Sequence, residues 1–397
     1  MSVVVLGAGV SGTAAALAAA RAGARTTLVD GGAGASTLWT GSVHGSGGEG
    51  ALTLAGTLGV RLGPCRVATS AGALRAADGR DASILDVRLD EVGRSRVGVV
   101  SCERAGWDAS VLARALGPGA FVVQAAMLRH TDERVLPDAD FAARHDDPER
   151  LGWLAERLRE GLARSGEAPA SALLLPPSLG VSHARAEALS ARVGVPCGEA
   201  TGLPGGPAGL RFENARDRAL AAAGVAVVRD RAESIEIEGS RFRVRLGQRE
   251  LDATSVVVAT GGLIGGGLAY APSDANLAAA MPTAPQLPFR STVGGPLPLG
   301  AHGRLLEMPG TLFGPAPETI AWPFVRDPLI ERVGVLCNGD GRVAPGLYAA
   351  GELVADAART WMSALESGVL AGVAAARDAV RAMPAPASLG EASPSRP

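Results

Sequence analysis

Lysine is missing from this chain: all 38 basic residues of the 397-residue sequence are arginine, a bias of composition rather than of chemistry. Set against 40 acidic residues they leave a net charge of −2, so no nucleic-acid surface is expected. Cysteine is scarce too. Cys65, Cys102, Cys197 and Cys337 are scattered, with no C-x-x-C pair, which excludes an iron–sulfur or zinc motif and suits a reduced, cytoplasmic compartment. The five histidines, His44, His130, His145, His183 and His302, show no metal-ligand spacing. No metal is expected, and any redox centre in this chain should be organic. Hydrophobic residues reach 47%, but alanine and glycine supply much of this. No uninterrupted run of about 18 strongly apolar residues occurs, so no transmembrane helix is expected. Nor does a basic region precede the first apolar stretch, so a cleaved signal peptide is not expected.

What is present is concentrated at the start. An apolar run leads into Gly7-Ala8-Gly9-Val10-Ser11-Gly12, then an alanine-rich segment, then Thr26-Thr27-Leu28-Val29-Asp30. This reads as a strand, a glycine turn, a helix and a second strand ending in a carboxylate, the unit that binds the adenosine diphosphate half of a dinucleotide. Gly7 allows the tight turn, Gly9 lets the backbone approach a pyrophosphate, and Gly12 lets the helix pack close to the sheet. The phosphates would sit at the helix N-terminus, by Val10 and Ser11, where free N–H groups favour anions. Asp30 lies 23 positions after Gly7, about where an acid for the ribose hydroxyls is expected. A unit of this kind at the start of a chain favours FAD over NAD.

Residues 31–48 are too glycine-rich for a helix interior or a central strand, yet carry Leu38 and Trp39 among hydroxyls. They read as a close-fitting loop along the pyrophosphate and flavin ring, beginning at Gly31, turning at Gly41 and donating through Ser36, Thr37 and Ser42. His44 is the one titratable side chain near its end. It is a candidate general base, with a structural role as the alternative.

Residues 51–160 carry no site assignment, although 148–165 read as a helix with Leu151, Leu154, Leu158 and Leu162 on one face. A strand over 171–177 and a helix over 184–192 follow. The stretch 201–214, rich in glycine and proline, reads as a rigid crossing that leads into a helix. On it Arg211 could clamp a phosphate with its planar fork or pair with a neighbouring acid, and Asn214 also stands out. A strand is expected over 222–228 and a hairpin over 234–246 turning at Glu238-Gly239, with Ala232 just ahead of it counted among the cofactor-binding residues. Buried strands then run into Ala259-Thr260-Gly261 and into Gly351-Glu352. A helix over 365–380 is expected to aim its first turn, with Ser367 and Gly368, at the flavin ring. Residues 383–397 read as a disordered tail.

Together these segments imply an α/β protein whose Rossmann-like FAD-binding domain is built from 1–60, 215–267 and 335–382. A substrate or cap domain from 61–214 and 268–334 is inserted between them. That order resembles the broad FAD-dependent family that includes fumarate reductase and glycerol-3-phosphate dehydrogenase flavoproteins. More narrowly, the chain is similar to one of the flavoprotein subunits of the anaerobic glycerol-3-phosphate dehydrogenase. The similarity rests on Ser36-Thr37-Leu38 with Gly41-Ser42-Val43, Leu174-Leu175-Pro176 with Leu179-Gly180, and Gly209-Leu210-Arg211 with Asn214. It continues through Val258-Ala259-Thr260-Gly261 with Gly265-Gly266-Gly267-Leu268, and Leu347-Tyr348-Ala349 with Gly351.

The resemblance implies bound FAD, with FMN as the alternative, and oxidation of glycerol 3-phosphate to dihydroxyacetone phosphate. His44 would be the base and Arg211 the phosphate anchor. It also implies a second flavoprotein subunit and an iron–sulfur subunit that holds the assembly at the membrane and passes electrons towards quinone. Two departures bear on this. Met362-Ser363-Ala364-Leu365-Glu366-Ser367-Gly368 replaces a denser glycine cluster with a cysteine, and Asp30 suits an adenosine ribose better than the family's residue there. A flavin-bearing electron-transfer or assembly subunit, or a stand-alone FAD oxidoreductase acting on another alcohol, amine or enoate, are the alternatives.

Overall fold

The computed structural model describes residues 2–88, 96–166, 169–270, 289–301, 304–305 and 332–381. The expected tail over 383–397, His302 and most of the 268–334 segment lie outside the described residues.

Ser2–Leu6 is the centre of a six-stranded sheet ordered Ala226–Arg229, Arg25–Asp30, Ser2–Leu6, Ser255–Val258, Leu347–Ala349 and Arg342–Ala344. The first five strands run parallel and the last antiparallel. Val3, Val4, Val5 and Leu6 are all buried because a parallel strand covered on both faces needs apolar side chains in both directions. Val3 and Val5 join the core formed with the N-terminal helix Val10–Arg21 and the C-terminal helix Trp361–Arg381. Val4 and Leu6 point to the opposite layer, an antiparallel meander of Ala232–Glu238, Arg241–Leu246 and Glu250–Ala253, with Ile235, Phe242 and Val244 in its core.

The two helices meet backbone to backbone. A Cβ on Gly368 would lie 2.1 Å from the Ser11 carbonyl oxygen, and one on Gly372 would lie 2.2 Å from that of Ala15. Only glycine permits this approach, and it holds the start of the N-terminal helix rigidly over the sheet.

The inserted region is a second parallel α/β unit with its own core. Ala120–Val123, Val97–Val100, Ala172–Leu175 and Cys197–Glu199 form a four-stranded sheet in that order, all parallel, packed with helices Ala109–Leu116, Pro148–Arg164 and Ala186–Val193. The helix Pro148–Arg164 begins where the Asp147 carboxylate accepts the Glu149 N–H and Pro148 occupies its first turn, a standard N-terminal signal.

The expected boundaries shift at two places. Residue 61 falls inside strand Val60–Ala68, and 214 inside helix Pro207–Ala222, which sends Phe212 and Leu220 into the core of the main sheet. That helix therefore belongs to the layer packed on the main sheet and occupies residues expected to be a crossing. Because it runs to Ala222, the next strand is Ala226–Arg229 rather than 222–228. The C-terminal helix starts at Trp361, not 365, so Ser367 and Gly368 sit in its second turn. Among the described residues no helix is long and apolar enough to cross a membrane.

Candidate functional site

The glycine turn forms because Gly7 takes φ +106° and donates its N–H to the Val29 carbonyl at 2.9 Å. A Cβ there would meet the Ala259 oxygen at 2.3 Å, and one on Gly12 would fall 1.8 Å from the Gly7 oxygen. Both glycines are thus required by packing. The helix they launch presents its first N–H groups, which lack intrahelical partners, to a cleft above the carboxyl ends of the strands. This is where parallel sheets of this kind bind ligands. One of those N–H groups, on Val10, donates to Ser36 Oγ at 3.0 Å.

The cleft has a volume of about 650 Å³, in the usual range for a cofactor or substrate site. On the side of the edge strand Ala226–Arg229 it is lined by Val29, Gly31, Asp230 and Ala232. Its middle is formed by Gly7, Gly9, Val10, Ser11, Ser36, Thr37, Ala259, Thr260 and Gly261, and its other end by Trp39, Ser42, His44, Glu352, Thr360 and Trp361. Three stretches remote in sequence therefore share one groove. The residues fit a dinucleotide: Gly9 leaves the turn open, and Thr260 Oγ1 is buried in the wall with no hydrogen-bond partner, a group that a ligand hydroxyl or phosphate would satisfy.

Several expected site residues act from behind the cleft. Asp30 Oδ1 accepts the Gly32 N–H at 3.0 Å, and its Oδ2 lies 3.8 Å from Arg216. It ends its strand as expected but does not line the cleft. Gly41, at φ +101°, turns the loop against Ile84, where a Cβ would come within 2.3 Å of the Ile84 side chain. Gly351, at φ +73°, donates to Ser367 Oγ at 2.6 Å, and a Cβ on it would meet Ser11 Oγ at 2.3 Å. Gly351, Ser367 and Gly368 thus brace the N-terminal helix. Thr37 lines the cleft, but its hydroxyl donates to Glu213 at 2.6 Å.

Arg211 is not in the cleft, so a direct grip on a substrate phosphate is corrected. Its side chain is 3% exposed and pairs with Asp81 at 2.9 Å and with Glu199. It also donates to the Gly180 carbonyl at 2.6 Å. Burial opposes its charge, but the carboxylates of Asp81 and Glu199 outweigh this and raise its pKa. Burial also pushes Glu199 up, against the pull of Arg211. The cluster fastens helix Pro207–Ala222 to strand Leu74–Asp81 and to the last strand of the inserted sheet.

His44 lies at the far end of the cleft, exposed, with its carbonyl accepting the Met362 N–H at 3.5 Å. It is the one histidine lining the cleft among the described residues. Beside it the C-terminal helix starts with Thr360 Oγ1 accepting the Ser363 N–H at 3.2 Å, so the helix N-terminus faces the cleft. Two contributors were missed in the sequence. Arg216, buried beneath the glycine turn, donates to the Ala8 carbonyl at 3.2 Å and sits four residues after Phe212 on the same helical face. Trp361 follows Thr360, whose position before an apolar pair is a helix-start signal. Among the described residues, no cluster of His, Cys, Asp or Glu could hold a metal.

Strand order and cleft together define a Rossmann-like fold with a cleft at the carboxyl ends of its parallel strands. No protein-family model matches the chain, and no curated protein matches it. Solved structures are similar over nearly all of it. A thioredoxin reductase from Gloeobacter violaceus is 13% identical with a TM-score of 0.36, covering 95% of this chain and 94% of that one. The 3-ketosteroid-Δ4-(5α)-dehydrogenase from Rhodococcus jostii RHA1, in complex with 4-androstene-3,17-dione, is 14% identical with a TM-score of 0.35, covering 94% and 96%. The fold assignment rests on the strand order, and the site on its own residues, rather than on these likenesses.

Proposed function

We propose that this chain is an FAD-dependent oxidoreductase. The observation that carries the reading is the continuity of the cleft, which runs from the glycine turn to a second end where Trp39, His44 and the N-terminus of the C-terminal helix meet. A site for the adenosine half alone would not need that second end. Bound FAD supplies a hydride acceptor in its ring. The backbone at Gly9–Ser11 would hold the pyrophosphate, Thr260 would offer its unpartnered hydroxyl, and the helix starting at Trp361 would direct its positive end to the ring. His44 would take the proton released from a substrate hydroxyl.

The finer reading is oxidation of glycerol 3-phosphate, with electrons leaving through a second flavoprotein subunit and an iron–sulfur subunit at the membrane. It is supported by the resemblance to a flavoprotein subunit of the anaerobic glycerol-3-phosphate dehydrogenase. In this reading the phosphate meets Arg359 rather than Arg211. Arg359 lines the cleft beside Thr360 and donates to the Glu352 and Val333 carbonyls at 3.1 and 3.2 Å. Anaerobic titration with glycerol 3-phosphate tests it. The visible flavin band should bleach in the wild type, and His44→Asn should slow the bleaching on the order of 100-fold or more. A flavin that stays bound and unbleached would instead point to an electron-transfer role or another substrate.

A further inference from the structure

We propose that the Trp39–Trp361 pair is the platform on which the flavin ring lies; this rests on the reading of the cleft as an FAD site. The glycine turn fixes where a pyrophosphate sits, and the strand order puts the adenosine towards Val29, Gly31 and Ala232. The remaining half of the cofactor must then extend towards Trp39 and Trp361. There the two indoles are stacked, with ring centroids 5.7 Å apart and planes 27° apart. Both are only partly buried, and both line the cleft.

The pair is built to stay in place. Trp39 Nε1 donates to the Ser42 carbonyl at 2.7 Å, which fixes one ring. Phe212, 1% exposed, meets both indoles edge-on, at 6.4 Å and 78° to Trp39 and at 6.5 Å and 82° to Trp361. Trp361 is further held by its position at the start of a long helix. Its indole Nε1 is buried, so the face of the ring rather than its N–H is what the cleft meets. Offset stacking on such a wall favours a planar, polarizable ring over a flexible or charged group. The chain has only five tryptophans, so placing two in contact at one end of the cleft makes a selective surface.

An indole in contact with a flavin quenches its fluorescence, and phenylalanine does not, which gives a readout independent of turnover. The experiment loads the full chain with FAD and compares bound-flavin emission in the wild type, Trp39→Phe, Trp361→Phe and a control, Trp153→Phe, located on the inserted unit. Strong quenching in the wild type and the control, relieved severalfold in either pair variant with FAD still bound, is the expected result. FAD bound with the same emission in wild type and both pair variants would overturn the platform while leaving the FAD reading intact. If the wild type and the control fail to bind FAD, both fall. Should one pair variant not fold, the other decides, because each indole is expected to contribute.

Discussion

Replacing Arg211 with alanine should lower the free energy of unfolding by about 3–5 kcal/mol, because it strands two carboxylates in the interior. Asp81 and Glu199 are 3% and 2% exposed and face the guanidinium together. Removing the arginine leaves their charges without compensation. Glu199 keeps two N–H donors, from Ser178 and Leu179 at 2.8 and 2.7 Å, so it stays fixed in place and cannot swing out to water. Denaturant unfolding of the variant measures the loss. FAD affinity of the protein that remains folded should be close to that of the wild type, since Arg211 does not touch the cleft. A triple variant, Arg211→Met with Asp81→Asn and Glu199→Gln, should recover much of the stability, because no buried charge is then left unpaired. An Arg211→Ala protein of normal stability that bound a phosphorylated substrate poorly would contradict this account.

The second large effect is expected from a single methyl group. Gly368→Ala should destabilise the protein by about 3 kcal/mol, at the upper end of overpacking costs, and should weaken cofactor binding with it. The added Cβ would lie 2.1 Å from the Ser11 carbonyl oxygen and 2.8 Å from the Ala14 side chain. Both neighbours sit on a helix packed against the sheet, so neither can move without shifting the N-terminal helix, which carries the glycine turn. The same substitution at Gly56, on helix Glu49–Thr57 with nothing within 4 Å of its would-be Cβ, should be neutral or stabilising by up to about 1 kcal/mol. The opposite signs of one chemical change separate a packing clash from helix propensity. Thermal or denaturant unfolding of the two variants, alongside FAD titration, checks both parts.

Features encoded locally were legible in the sequence. The N-terminal unit could be read because its strand, turn and helix are contiguous, and Ser255–Val258 because a strand buried on both faces is a continuous apolar run. For Arg211 the sequence left a phosphate clamp and an acid pair open, and the structure shows the pair; its partners come from distant elements, Asp81 lying 130 positions away, and residues 207–214 form the first turns of a helix rather than a loop. Gly351 and Gly368 were expected at the cofactor, and the structure shows that neither position has room for a side chain. Sequence does not show whether the crowding comes from a cofactor or from another helix, and here it comes from the N-terminal helix. The inserted sheet was unreadable as such because its strands are only four or three residues long. Its order also places Ala120–Val123 outside Val97–Val100, a non-local arrangement that no short window of sequence reveals.

The central claim is that one continuous cleft holds a whole FAD. The most direct measurement is to purify the chain, release its bound cofactor by denaturation, and identify and count it by absorbance and chromatography. The account predicts FAD, approaching one per chain, and its loss in a Gly9→Val variant whose helix start is blocked. A folded protein that neither retains nor takes up FAD would contradict it, as would one that binds a nicotinamide dinucleotide in its place.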